Sequence, residues 1–402
     1  MSAEASYSER ELANARELHD RIVSFDSHVD LPPGFKDSNL AISEQWVGQF
    51  DLERAARGHL SGAALVLQGP SVQPSAENLA QAREQLEAGY VAILRLVDSF
   101  RDRVGIAHNP DEFRRLAAEG RFAIVLAFQN AAALEDLESI EKWIARGVAL
   151  FAFTFVGNNQ WADSARPFPF FSGGHDSGGL SALGKAAIGL LNDRGAIVDV
   201  TQLSSAALAD ALATTRSPVV ASHSAVRSIV DVDRNLSDNE LRAVRENGGV
   251  VQIVGFSSYL RATSDEKQAR IREAWRRYGL DGPVTLAESY SINHPGTRDW
   301  SEKQFWAFVH EFHAIADHDN PEATLGDLLN AIDHAVLVAG IDHVGISSDF
   351  NHGGGLVGWR DVGDNLNLTA ALIRRGYAES DIGKLWGGNF LRVWQSVFDR
   401  QY

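Results

Sequence analysis

Short apolar runs of strand length alternate along this chain with amphipathic stretches of helical period, and that alternation constrains the fold more than any other feature. The strand candidates are Ile22–Phe25, Gly62–Leu67, Ala123–Phe128, Ala149–Thr154, Ala196–Val200, Val219–Ser222, Val250–Val254 and Val344–Ile346. Between them the pattern predicts helices over Ala76–Phe100, Asp136–Ala145, Ser181–Asp193, Ser204–Thr214 and Asp238–Glu246. Eight such repeats are accommodated most economically by an α/β fold of the (β/α)8 TIM-barrel type. There a parallel sheet closes inside a ring of helices, and chemistry gathers at the carboxyl ends of the strands. The stretch from Thr263 to Leu337, with Trp275, Trp300 and Trp306, reads as a helical insertion before the last strand. No low-complexity linker divides residues 1–402, so a single domain is expected.

Charge narrows the partners. A formal net charge of -16 without any long Lys/Arg run argues against nucleic acid or an anionic membrane surface and favours a small-molecule substrate. Cysteine is absent, which removes disulfides, Cys-zinc sites and thiol nucleophiles together. Any metal must therefore sit on His, Asp, Glu or an amide. Met1–Asp20 lacks the apolar centre of a signal peptide and no later apolar stretch is long enough to cross a bilayer. A cytoplasmic protein is the expectation, with a trimmed secreted form as the alternative.

The polar residues at the strand ends supply the chemistry. Phe25-Asp26-Ser27-His28-Val29-Asp30 ends in a His-x-Asp pair, and on a strand His28 and Asp30 project to one side, an imidazole and a carboxylate suited to zinc. Such a pair also arises by chance, so its meaning depends on what joins it. Gln129 follows the third run, Asn158, Asn159, Trp161 and Asp163 the fourth, Gln202 the fifth, His223 the sixth and Asp349 the eighth. Arg234 is either a bidentate clamp for a substrate carboxylate or a surface ion pair. Phe155 and Trp161 read as an apolar pocket wall or as core. His175 and His352, in Gly-rich segments, are candidate lid or replacement-ligand residues, with plain exposed loop histidines as the alternative. His310, His313 and His318 read as helix-surface residues of the insertion.

In order along the chain, His28-Val29-Asp30-Leu31-Pro32, Gln49-Phe50-Asp51-Leu52, Trp161-Ala162-Asp163, Gly179-Leu180-Ser181-Ala182-Leu183-Gly184, Ser222-His223-Ser224, Arg234-Asn235-Leu236, Gly345-Ile346-Ser347-Ser348-Asp349-Phe350 and Gly388-Asn389-Phe390-Leu391-Arg392-Val393 resemble the membrane dipeptidase (renal dipeptidase-like, M19) peptidases. That resemblance implies an amidohydrolase-type barrel, usually a homodimer, with two Zn2+ ions and cleavage of dipeptides, including those with a D-residue second. On that pattern His28 and Asp30 match ligands of the first metal and His223 one ligand of the second. Arg234 matches the arginine that holds the substrate carboxylate, and Asp349 the aspartate that manages the proton.

Three positions depart from the pattern. Gln129 stands where the resemblance places a glutamate bridging both metals, Gln202 where it places the second metal's other histidine, and Phe155 where a histidine faces the tetrahedral intermediate. A neutral amide cannot offset the repulsion between two dications, and it is a far weaker ligand than imidazole. At most one tightly held zinc is therefore expected, on His28, Asp30 and Gln129, with His223 and Gln202 as the depleted remainder. Asp349 and His223 are the expected catalytic residues, and Arg234, Asn158, Asn159, Trp161 and Phe155 the expected substrate contacts. The reading is a dipeptidase-like metallohydrolase; a barrel repurposed as a lyase, decarboxylase or non-peptide hydrolase and a non-catalytic binding protein are the alternatives.

Overall fold

The computed structural model describes residues 6–32, 35, 48–262, 264–280, 295–297, 299–301, 303–305, 307–308, 311 and 323–401. Trp306, His310, His313 and His318 lie outside the described residues. Nine strands are described: β1 (Phe25–Asp30), β2 (Gly62–Gln68), β3 (Val104–Ile106), β4 (Phe122–Gln129), β5 (Val148–Ala152), β6 (Ile197–Asp199), β7 (Val220–Ser224), β8 (Val250–Val254) and β9 (Val344–Ser347). Eight of them run parallel in the order β1-β2-β4-β5-β6-β7-β8-β9, and β3 pairs with β4 off that path. The result is a nearly closed (β/α)8 barrel with helices outside. β3 escaped the sequence reading because three residues are too few to show a period.

The first strand is displaced from its expected span, Ile22–Phe25, and starts where that span ends. Its polar residues are nevertheless buried, because the neighbouring strands satisfy them. Asp26 Oδ1 accepts from the backbone N–H of His28 at 3.3 Å and of Ser348 at 3.0 Å, while Ser27 Oγ donates to the Ser222 carbonyl at 2.6 Å. Hydrophobicity alone cannot show this kind of strand. The predicted helices lie close to their spans, and Asp136, Ser181 and Ser204 prove to be N-caps whose side chains accept from the first turn.

The barrel meets itself beyond β9. The Asp349 N–H donates to the His28 carbonyl at 3.2 Å, the Asp30 N–H to the Phe350 carbonyl at 3.1 Å, and Asn351 Nδ2 to the Asp30 carbonyl at 2.9 Å. Asp349 and Asn351 take left-handed backbone conformations, φ 57° and 70°, which a side chain adopts only at some strain.

Alternation divides the strand residues between two cores. Leu65, Leu67, Ile124, Leu126 and Phe128 belong to the large cluster under the helices. Ala64, Val66, Ala123, Val125 and Ala127 join Phe25 and the carboxyl-terminal helix Asn389–Phe398, whose Phe390 ring stacks on Phe25 at 4.1 Å. Gln129 continues the parity of Val125 and Ala127. The helix Asp265–Arg277 of the insertion puts Trp275 into an aromatic cluster with Phe155, Phe168, Phe170, Phe171, Trp300, Phe305 and Phe308. The helix Leu325–Ala339, counted in the expected insertion, packs against β8 and β9.

Replacing Phe25 with Ala should remove the stacked pair under the barrel and lower stability by roughly 3–5 kcal/mol. A urea midpoint unchanged from that of the unsubstituted protein would show that the carboxyl-terminal helix does not depend on this contact.

Candidate active site

Four donor atoms converge at the seam between β1 and the turn after β9. His28 Nε2 lies 3.6 Å from Asp349 Oδ1 and 3.8 Å from Asp30 Oδ2. His352 Nδ1 lies 3.1 Å from the same Asp30 oxygen and 3.9 Å from Asp349 Oδ1. The His28 and His223 rings sit 3.6 Å apart between centroids. His28, His223 and Asp349 form one candidate cation group and Asp30, Asp349 and His352 another, each with ligand atoms within 4.8 Å of one another.

Burial sets the charge states. It pushes the His28 imidazolium pKa down to about 4, against the pull of Asp30, and holds His223 well below the usual range with help from His28 and Arg234. Both rings are neutral near pH 7 and offer lone pairs. Burial raises the Asp349 carboxyl to about 7 and Asp26 to about 6, and Asp199 is raised for the same reason. His352 differs. Burial opposes its charge, but its ring is about a third exposed, and the charge and hydrogen bond of Asp30 hold it up at about 9.

His223 is oriented from beneath. Asp199 Oδ1 accepts from the backbone of Thr201 at 3.0 Å and Ser222 at 3.1 Å, and Oδ2 takes the Ser222 hydroxyl at 2.5 Å. With its proton committed, Ser222 Oγ accepts from His223 Nδ1 at 2.8 Å, which leaves Nε2 as an acceptor. Two amides face that lone pair: Gln129 Nε2 at 3.3 Å and Gln202 Nε2 at 3.2 Å. Arg166 Nη2 donates to Gln202 Oε1 at 2.9 Å and so fixes which end of the amide meets His223. N–H groups cannot ligate a cation. Arg166, Gln202 and His223 thus form one hydrogen-bonded chain, while Gln129 Oε1 is buried without a partner.

Arg166 escaped the sequence reading. It is buried, with its guanidinium 4.6 Å above the Phe155 ring, but an arginine in an Ala-Arg-Pro loop carries no signal of burial. Arg234 is buried too: it donates to the His223 carbonyl, reaches Ser224 Oγ at 3.4 Å and stands 5.1 Å from the Tyr259 ring. Asn158, Asn159 and Trp161, expected at the substrate, spend their polar groups within their own loop. Asn158 bonds Ser164 and His175, Asn159 bonds Phe153, Trp161 and Ala162, and Trp161 Nε1 donates to the Ala131 carbonyl at 2.9 Å.

The donor set fits one divalent cation. His28 Nε2 is buried without a hydrogen-bond partner, as a ligand awaiting an ion would be, and Asp349 Oδ1 and Gln129 Oε1 beside it are likewise unpartnered. Four buried carboxylates, Asp26, Asp30, Asp199 and Asp349, stand against two buried guanidiniums, Arg166 and Arg234. Even with His352 charged, the ionised carboxylates leave a net negative charge that suits a cation.

The family model for membrane dipeptidase (peptidase family M19) matches residues 12–401. Dipeptidase ataJ of Aspergillus terreus is 25% identical over 96% of this chain and 88% of its own length. Dipeptidase verJ of Clonostachys rogersoniana is 27% identical over 96% of this chain and 87% of its own. Among solved structures, the probable dipeptidase PvdM from Pseudomonas aeruginosa superposes with a TM-score of 0.93 at 46% identity, covering 98% of this chain and all of that one (100%). A metallo peptidase from Rhodobacter sphaeroides, liganded with a phosphinate mimic of the dipeptide L-Ala-D-Ala, shares the fold with a TM-score of 0.71 at 19% identity, covering 94% of this chain and 99% of that one.

The raised Asp349 carboxyl predicts a pH effect in metal-stripped protein. A carboxyl whose folded pKa lies above its unfolded value stabilises the fold when protonated, and that contribution is lost as pH rises from about 4 through about 7. Asp349→Asn should then be the more stable of the two chelated proteins at pH 8, by up to a few kcal/mol, with the difference fading by pH 4. Parallel denaturant curves at both pH values check this; a gap that widens on acidification would contradict the assignment.

Proposed function

The chain belongs to the membrane dipeptidase family, peptidase family M19, and from that membership we propose that it hydrolyses a dipeptide or a related small amide bearing a free carboxylate, using one divalent cation anchored by His28 and Asp30. The observation that carries the single-ion reading is the pair of buried amides, Gln129 and Gln202, whose nitrogens face His223 where a second ion would need ligands. Zinc suits the mixed imidazole and carboxylate donors.

The cation, when bound, supplies Lewis-acid polarisation of the scissile carbonyl and lowers the pKa of water. The chain's residues do the rest. Arg234, in the loop after β7 and buried beside Tyr259, pairs with the substrate carboxylate and fixes which amide bond reaches the centre. Asp349 Oδ1 accepts the proton from the attacking water and returns it to the departing amine, a task for which a carboxyl near pH 7 is matched. Phe155 lines the approach as an apolar wall. His223, held by Ser222 and two glutamines, keeps the amide cluster beside the reacting carbonyl in one arrangement.

Purified protein should hold one equivalent of zinc per chain and cleave L-L or L-D dipeptides, while amide-capped dipeptides are poor substrates. Asp349→Asn should lower kcat by about 10²–10⁴ with metal content kept, and Arg234→Met should raise KM for carboxylate substrates by at least about tenfold, the loss of a charge-assisted bond. Two zinc equivalents surviving dialysis would contradict the single-ion reading. Full turnover in chelator would contradict the metal dependence.

A further inference from the structure

We propose that His352 is a ligand of this cation, completing with His28 and Asp30 a two-histidine, one-carboxylate set that lies on the β1–β9 seam and leaves His223 outside it. The inference rests on the single-ion reading above and says where that ion sits.

His352 Nδ1 and His28 Nε2 both approach Asp30 Oδ2, at 3.1 and 3.8 Å. Ligand atoms held about 2.0–2.1 Å from a tetrahedral ion stand about 3.3 Å apart, so His352 already stands at ligand spacing from Asp30, and His28 lies about half an ångström beyond it. His28 is the buried group that aims a free nitrogen into the set: its side chain is 2% exposed and Nε2 has no hydrogen-bond partner. Either ring must give something up to bind the ion: His223 would have to shed two amide donors from its lone pair, whereas His352 has only to release to solvent the proton that Nδ1 shares with Asp30, which the cation displaces.

The turn that carries His352 is pinned to β1. Asn351 Nδ2 donates to the Asp30 carbonyl at 2.9 Å, and the Asn351 backbone N–H donates to Gln49 Oε1 at 2.9 Å. The Gly354 N–H returns to the Asp349 carbonyl at 2.9 Å, and a Cβ at Gly354 would fall 2.0 Å from the Ser348 carbonyl oxygen, so only glycine lets the turn close. Phe155 backs the imidazole, its ring centroid 5.3 Å away. An apolar side chain at that position thereby acquires a reason: it fixes a ring whose nitrogen must point at Asp30. Two histidines and one carboxylate with open positions accept Zn2+, Co2+, Fe2+ or Mn2+.

Zn2+ affinity of the full-length protein, measured by competition with a chromophoric chelator, tests this directly, together with the visible spectrum of the Co2+ form. His352→Ala should weaken Zn2+ binding by at least about 100-fold and alter the Co2+ spectrum, as loss of a ligand must exceed the 10–100-fold effect of an outer-shell change. His352→Asp, which restores an oxygen donor, should recover part of the affinity, and His175→Ala, in another loop, should change neither readout. The ring of His352 is about a third exposed, so these variants should keep the fold, and unchanged unfolding midpoints in chelator verify that they do. Wild-type affinity and spectrum in His352→Ala would overturn the assignment. A wild-type protein that binds no Zn2+, or two ions, would instead overturn the single-ion reading on which it rests.

Discussion

Two backbone hydrogen bonds carry the geometry of this protein's chemistry: Asp349 N–H to the His28 carbonyl and Asp30 N–H to the Phe350 carbonyl. They tie the first strand to the turn after the last, which closes the barrel and sets His28, Asp30, Asp349 and His352 within reach of one another. A parallel barrel has no sheet edges to spare, so the register of that join is fixed by all the strands between. The site inherits its rigidity from the closure itself. The left-handed turn at Asp349 and Asn351 is the local strain that the closure sustains.

Around that seam the electrostatics have been rebalanced rather than dismantled. An imidazole and a carboxylate that would hold a second ion are replaced by two amides, and the amides are not idle. Both donate to His223, and Gln202 accepts from Arg166. The guanidinium brings positive charge to the Gln202 side of His223, and it rests on Phe155, where an apolar ring tolerates a cation that a protonated histidine would repel. Gln202, the buried Arg166 and Phe155 are mutually compatible, since the guanidinium meets an amide oxygen on one side and an apolar ring on the other. The carboxylates of the site still outnumber its cationic groups, which is a physical reason for a cation there.

Much of this was legible in the sequence, and the remainder was not for identifiable reasons. Alternating apolar runs placed seven of the eight barrel strands, since strands buried on both faces read as hydrophobic blocks. β1 was misplaced because its inner face is polar, and its burial depends on partners from β7 and the β9 turn that are 195 and 322 residues away in sequence. Gln129 and Gln202 could be identified as departures from a ligand pattern, yet their donation to His223 could not, because only the Asp199–Ser222 pair fixes the tautomer of that ring. Arg166 gave no sign of burial. His352 was visible only as one of two loop histidines, and a turn pinned by Asn351 and Gln49 is what separates it from His175.

The central claim is that this barrel holds one ion at the seam and none beside His223. Anomalous diffraction from crystals grown with Zn2+ tests it most directly. A single peak between His28 and Asp30 is expected, with the Gln129 and Gln202 amides still against His223. Two peaks about 3.5–4 Å apart, the spacing of a paired-metal site, would contradict it.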